Sequence, residues 1–193
     1  MNKSRLEAFS DGVIAVIITI LVLELKLPHG VTLRSLASVA PAFFSYVLSF
    51  VFIGIYWNNH HHLLHATEKV GGGILWANLH LLFWLSLTPF ATAWMGQNHF
   101  AALPVALYGT LLLLSGVAYL LLTKALIAHH GKHSILASAI GTDRKGKISL
   151  VVYSIAVPLA FWRPWAACVL YITVAIIWLI PDRRIERRVR ASE

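Results

Sequence analysis

The sequence is short of charge and of cysteine. Only 12% of its 193 residues are Asp, Glu, Lys or Arg, against roughly 25% in soluble domains. The one cysteine, Cys168, lies in an apolar stretch, so a disulfide framework or a thiolate metal site within one chain is excluded. Glycine-rich phosphate loops, GxSxG elbows and HExxH motifs are also missing. These absences exclude an ordinary soluble enzyme, and we expect neither enzymatic activity nor a cofactor.

Long apolar runs are what the sequence has instead. Hydrophobic residues make up 58% of the chain and the mean hydropathy is +0.72. A helix that spans a bilayer needs ~20 apolar residues, and six runs approach or exceed that length: 9–27, 36–57, 72–94, 100–122, 148–162 and 165–180. The last two are short and are separated only by Arg163 and Pro164, which favours a tight helical hairpin. The sequence therefore predicts an all-α polytopic membrane protein, with residues 1–193 as one six-helix subunit.

The distribution of basic residues predicts the orientation. With the N-terminus in the cytoplasm, the outside loops hold only Lys26, Arg34 and Arg163, and the other 13 of the 16 Lys and Arg residues lie inside. This asymmetry follows the positive-inside rule and places both termini in the cytoplasm. The net charge of +8 lies beside spans rather than on one aromatic-lined surface. It therefore indicates mainly the topology, with contact to anionic lipids in addition, and not nucleic-acid binding.

Histidines form two clusters whose spacing raises the question of a metal site. The pairs His61/His65 and His129/His133 have the i,i+4 spacing of two metal ligands on one helical face. Apart from Glu68 near the first cluster, no Cys, Asp or Glu is placed to complete a tetrahedral set. We therefore favour a polar helix extension over a metal site.

The first apolar run carries ionisable residues at both ends, Asp11 and Glu24. At 100° per residue, one face lies within about 60° of Val16 and holds Gly12, Val16, Thr19, Leu23 and Leu27. This stripe is compatible with ordinary helix packing. Copies of the helix around a shared pore would instead form apolar constrictions at Val16 and Leu23, with a ring of Thr19 hydroxyls between them. On that interpretation Val22 is expected toward the packed side.

Short motifs in the first three runs resemble those of a known family. The segment Arg5-xxx-Phe9-Ser10-Asp11 at the entry of the first run resembles the signature of the transmembrane protein 175 family of potassium channels. Further residues agree with that family: Trp57-xx-His60 after the second run, and Asn78-Leu79 and Pro89-Phe90 in the third. The last three runs agree only in number and hydropathy.

The resemblance implies a six-helix subunit, four subunits in bacterial members and a pore lined by the first helix. The family lacks the TVGYG filter of ordinary potassium channels, as does this sequence. Its pore positions correspond here to Val16, Thr19 and Leu23, which are also the residues selected by helical phase.

The resemblance also implies a polar network at the entry of the first helix. In the family the motif Arg, Ser and Asp join polar residues of the next two helices. Here the network would comprise Arg5, Ser10, Asp11, Trp57, His60 and Asn78. The alternative is a plain Arg5–Asp11 pair that orients the helix entrance.

The leading hypothesis is a homotetrameric potassium channel of a bacterial inner membrane. Its partners would be its own copies, membrane lipids and monovalent cations, with K⁺ as the permeant ion. A proton-coupled secondary transporter is the alternative, because Asp11 and Glu24 flank a membrane span. Transporters typically contain internal repeats, and none is evident in this sequence. A membrane scaffold or accessory subunit is a third possibility.

Overall fold

A computed structural model describes residues 3–65, 67, 70–130 and 143–179. Every regular element in these ranges is helical, and they contain no β-strand. The helices in chain order are α1 (Lys3–Leu23), α2 (Leu33–Ser38), α3 (Ala40–His65), α4 (Gly72–Ser86), α5 (Thr88–Gln97), α6 (Ala102–His130), α7 (Arg144–Leu159) and α8 (Pro164–Leu179).

Four helical segments are long and apolar enough to cross a membrane. They are α1, α3, the α4–α5 pair taken together as Gly72–Gln97, and α6. Helices α7 and α8 have 16 residues each. At 1.5 Å per residue each is about 24 Å long, somewhat short of the ~30 Å hydrocarbon core. The Arg163 N–H donates to the Leu159 carbonyl at 2.9 Å in the tight turn that joins them, so the expected helical hairpin is present.

Several helices extend beyond the apolar runs that predicted them, and α1 and α3 do so with polar turns. Helix α1 begins at Lys3 rather than at residue 9, and α3 continues to His65 rather than ending near residue 57. The added turns are polar, so hydropathy alone did not mark them as helical. Lys3 Nζ donates to the His65 carbonyl at 2.8 Å, and this contact satisfies an orphan carbonyl at the end of α3.

The third apolar run is divided into two helices at Leu87. Helix α4 ends at Ser86, and the Leu87 N–H turns back to the Trp84 carbonyl at 3.3 Å. Pro89 lies in the first turn of α5 and has no N–H to continue the ladder of α4.

Helix α6 lies at the centre of the bundle, where it packs against α4, α5, α7 and α8. Its C-terminal half, including Leu122, joins an apolar cluster with α1, α3 and α4. Its N-terminal half, including Tyr108, joins a second cluster with α3, α5, α7 and α8. Buried Ser49 hydrogen-bonds both Thr92 at 2.7 Å and Tyr108 at 2.9 Å, which links α3, α5 and α6.

Two glycines permit close helix packing. A Cβ at Gly96 would lie 2.6 Å from Cα of Ala42, and a Cβ at Gly109 would overlap the hydroxyl of Tyr171. Because backbone atoms cannot move aside as a flexible side chain can, Gly96 fixes the approach of α5 to α3.

Candidate pore helix and its polar contacts

Helix α1 buries one face and leaves the other uncovered in the protomer. It packs against α3, α4 and α5, and its buried residues are Leu6, Ser10, Ile14, Ile17 and Leu21. Val16 is 55% exposed, Leu23 is 79% exposed and Thr19 is also exposed. At 100° per residue, Thr19 lies about 180° from the centre of the buried set. The stripe selected from the sequence is therefore the open face of α1, except for Leu27, which lies beyond the end of the helix at Leu23.

Thr19 has a defined hydroxyl orientation on this open face. Its Oγ1 donates a hydrogen bond of 2.8 Å to the Val16 carbonyl. The hydroxyl proton is thus directed at the helix backbone, and the oxygen lone pairs remain available away from it. Oxygen lone pairs are ligands that hard monovalent and divalent cations prefer.

The structure corrects the expected position of Val22. This residue is 47% exposed, whereas neighbouring Leu21 is 1% exposed. Val22 lies about 120° from the centre of the buried face at 100° per residue, so it belongs to the flank of the open face. The expectation that Val22 lies toward the packed side is therefore wrong.

Ser10, Asn78 and His60 form one buried hydrogen-bonded chain across three helices. Ser10 Oγ donates to the Leu6 carbonyl at 2.8 Å and accepts from Asn78 Nδ2 at 2.9 Å. Asn78 Oδ1 lies 2.6 Å from His60 Nε2. Since an amide oxygen only accepts, His60 Nε2 carries a proton and donates. The Leu6 carbonyl accepts the hydroxyl proton of Ser10, so it sets the order of donors and acceptors along these hydrogen bonds. No sequence motif could identify this backbone group.

Asp11 and Trp57 make a separate contact beside that chain. Trp57 Nε1 donates to Asp11 Oδ1 at 3.0 Å. The indole also stacks on His61, with ring centroids 6.2 Å apart. Arg5 is exposed, and it forms no ion pair with Asp11 or with any other residue that the structure describes. The motif residue Phe9 is 51% exposed. Hydrogen bonds that join α1, α3 and α4 thus involve five of the seven motif residues, Ser10, Asp11, Trp57, His60 and Asn78, but the Arg5 guanidinium is not brought to the carboxylate.

The histidine clusters lie on the polar ends of α3 and α6. The rings of His61 and His65 are nearly parallel, with centroids 6.1 Å apart. Within the described ranges, no three His, Cys, Asp or Glu side chains converge on a point where they could hold a metal ion. His133, the second member of the other i,i+4 pair, lies outside those ranges.

The carboxylates Asp11 and Glu24 lie toward opposite ends of the apolar part of α1. Glu24 is exposed directly after the last residue of α1, and its N–H still bonds the Ile20 carbonyl at 3.1 Å. Neither carboxylate lies in the middle of the helix. The uncharged stretch between them is the part that carries Val16, Thr19 and Leu23.

Comparison with known proteins identifies relatives that match all or part of this chain. The sequence model of the family described as "Endosomal/lysosomal potassium channel TMEM175" matches residues 5–89. A potassium channel of Chryseobacterium sp. (strain P1-3) is 53% identical over 192 residues, which cover 100% of both chains. A potassium channel of Streptomyces collinus is 38% identical over 102 residues, or 50% of each chain. The crystal structure of a lysosomal potassium-selective channel TMEM175 homolog from Chamaesiphon minutus superposes with a TM-score of 0.81 at 27% identity, covering 92% of this chain and 96% of that one.

Proposed function

This chain belongs to the TMEM175 family of potassium channels, and we propose that it is a channel subunit that passes monovalent cations, K⁺ foremost, down their gradient. The whole-length similarity to a bacterial relative named as a potassium channel supports this proposal. The family is one of ion channels rather than enzymes.

The proposed unit is residues 1–193 as a single six-span subunit in a bacterial inner membrane. Four helical segments have membrane length, and the α7–α8 hairpin supplies the fifth and sixth spans with some local thinning of the bilayer. The preponderance of Lys and Arg on one side supports cytoplasmic termini.

The pore is proposed to form where four copies of α1 face a common axis. One helix cannot enclose water, so several subunits must surround the pathway, and cyclic symmetry is the usual arrangement. The observation that carries this proposal is the open face of α1, where Val16, Thr19 and Leu23 are uncovered while the opposite face is packed. A Cβ added at Gly12 on the same face meets nothing within 4 Å. This open space is compatible with a face that contacts other subunits or water.

Within that pore, each residue has a role that follows from its chemistry. Rings of Val16 and Leu23 would form apolar constrictions that exclude water when narrow. Between them, Thr19 oxygens would replace part of the hydration shell of a passing cation, because their protons already bond the Val16 carbonyls.

The buried Ser10–Asn78–His60 chain and the Trp57–Asp11 contact are proposed to set the tilt and rotation of α1. Both join α1 to helices that do not line the pore. Their role is therefore positioning: they keep the stripe directed at the axis.

The test separates a channel from the alternative proton-coupled carrier. Purified protein in planar bilayers should give unitary K⁺ currents, whereas saturable uptake without unitary events would overturn the channel proposal. The single cysteine, Cys168, allows a cysteine-free Cys168→Ser background. In it, Thr19→Cys should be blocked by a charged thiol reagent, and Ile176→Cys, on exposed α8, should not.

A further inference from the structure

A cleft runs along α3, α6 and α7 and shares no lining residue with the open face of α1. It encloses about 520 Å³ of space between side chains, its open mouth included. On α3 its lining extends from Asn59 to Phe52, and on α7 from Gly146 to Tyr153. Each interval is about 10 Å long at 1.5 Å per residue. The cleft is therefore elongated along the helices, and its inner end lies at the rings of Phe52 and Tyr153, whose centroids are 6.4 Å apart.

The walls of the cleft offer mainly apolar and aromatic surface. Two polar side chains of the lining already have partners. Asn59 Nδ2 donates to the Ile55 carbonyl at 2.7 Å. Ser149 Oγ donates to the Lys145 carbonyl and accepts from Trp178 Nε1, each at 2.8 Å. The half-buried apolar and aromatic lining residues are Ile55, Tyr56, Tyr119, Leu120, Leu150 and Trp178. An acyl chain would supply the contacts that an empty space between such walls lacks.

Positive charge lies at the polar end of the cleft. Asp143 and Gly146 line this end, and the first turn of α7 carries three basic residues, Arg144, Lys145 and Lys147, against the one acid. Basic residues oppose the macrodipole at the N-terminus of a helix, so helix stability does not account for them. Arg144 and Lys147 are exposed and form no ion pair with any residue that the structure describes.

Lys147 lies on the flank of the lined face of α7. At 100° per residue it is about 60° around the axis from Leu150, which lines the cleft. A long lysine side chain at this position can follow the apolar surface and keep its ammonium at the polar end. An anionic group at this end of the cleft would therefore find a cation beside it.

We propose that this cleft binds one phospholipid with an anionic headgroup. One acyl chain lies along the aromatic and aliphatic walls, and the phosphate lies beside the basic first turn of α7. Basic pockets between membrane helices favour anionic headgroups in this way. A zwitterionic lipid offers the same chains without net charge, and a soluble phosphate ester offers the charge without the chains. With the membrane orientation proposed above, on which only the choice of leaflet rests, the lipid comes from the cytoplasmic leaflet.

The experiment compares two lipids with identical chains on the full protein. Purified, delipidated channel in detergent is titrated with phosphatidylglycerol or phosphatidylcholine, and native mass spectrometry follows the first lipid bound per subunit. Lys147→Gln removes the charge beside the cleft, and Lys124→Gln is its control, because Lys124 is an exposed base of α6 that does not line the cleft. Leu120→Trp fills the cleft, and Leu121→Trp is its control at the next, exposed position. Ile55→Phe fills the cleft from α3 and decides the chain contact if Leu120→Trp does not fold.

Phosphatidylglycerol should bind wild type more tightly than phosphatidylcholine. Lys147→Gln should weaken phosphatidylglycerol about fivefold, as expected for about 1 kcal/mol per basic residue, and should leave phosphatidylcholine unchanged. Lys124→Gln should change neither lipid. Leu120→Trp and Ile55→Phe should weaken both lipids, because the chain no longer fits, and Leu121→Trp should weaken neither.

Three results would overturn the proposal. The first is equal affinity of wild type for the two lipids, or equal phosphatidylglycerol affinity of Lys147→Gln and Lys124→Gln. The second is unchanged lipid binding in the cleft-filling variants, which would place the chain elsewhere. The third is displacement of the lipid by glycerol 3-phosphate, which would identify a site for a soluble phosphate ester. Because binding is measured without current, failure here leaves the channel proposal untouched.

Discussion

The indole N–H of Trp57 hydrogen-bonds Oδ1 of Asp11 at 3.0 Å, across a separation of 46 residues in the chain. This contact takes the position that a guanidinium was expected to occupy, since Arg5 is exposed and does not reach the carboxylate. A neutral donor holds the carboxylate without neutralising it.

The Trp57–Asp11 contact should contribute about 1 kcal/mol to stability, at the low end for a bond to a charged group because both residues are partly exposed. This is less than the ~3–5 kcal/mol that loss of one partner of a buried ion pair would cost. Trp57→Phe and Asp11→Ala should each destabilise the subunit by a similar amount, and the double variant by less than their sum. Reversible unfolding in detergent measures the cycle. Strict additivity would show that the bond contributes nothing.

Asn78→Leu should destabilise the subunit by about 1–3 kcal/mol, because it leaves the donor of buried His60 unpaired in the core. Ser10 Oγ keeps its bond to the Leu6 carbonyl, so His60 is the main loss. Asn98→Leu is the control, because Asn98 is exposed and bonds only its own helix. Thermal unfolding measures the melting temperature of both variants. An equal decrease for both would contradict a special role for the Ser10–Asn78–His60 hydrogen bonds.

Leu23→Ser should raise unitary conductance, because a smaller polar side chain widens and wets the proposed apolar ring. Ile176→Ser makes the same kind of change on α8, which packs against α3, α6 and α7, and should leave conductance unchanged. Single-channel recording gives both values. A larger effect at Ile176 than at Leu23 would place the pore elsewhere.

Thr19→Val should reduce the preference for K⁺ over Na⁺, since it removes the hydroxyl oxygens while preserving side-chain shape. Thr173→Val is the matched control: Thr173 is also exposed, and its hydroxyl also donates to its own helix, at 2.8 Å to the Val169 carbonyl. Reversal potentials between K⁺ and Na⁺ solutions measure the preference. If they do not move for Thr19→Val, the threonine ring has no part in selectivity.

Gly96→Ala should destabilise the bundle by about 1–3 kcal/mol through overpacking, because its Cβ would press on the Ala42 backbone. Gly54→Ala on α3 adds a Cβ that meets nothing within 4 Å in the protomer and should raise helix stability by up to about 1 kcal/mol. The two variants should thus shift the unfolding free energy in opposite directions. A tolerated Gly96→Ala would mean that α3 and α5 separate readily.

The polar positions around α1 were only partly predictable. The family resemblance placed Ser10, Asn78 and His60 in one polar network, and the structure joins these three by hydrogen bonds. Which residue hydrogen-bonds Asp11 depends on the angle at which α3 crosses α1. This crossing angle cannot be derived from a single sequence. The prediction that Val22 lies toward the packed side was wrong for a related reason. Three apolar residues define a stripe, but the buried face is known only once the neighbouring helices are placed.

What the sequence alone determined is the helical and apolar character of the runs and the phase of the stripe on α1. Both depend on composition and on a period of 3.6 residues, which are local properties. The tertiary structure decided where polar helices end, where Leu87 divides the third run, and which surfaces of equally apolar helices meet. In a chain this apolar, hydrophobicity does not distinguish a lipid-facing side from a protein-facing one. Close packing at Gly96 and Gly109 and a few buried hydrogen bonds select the arrangement instead.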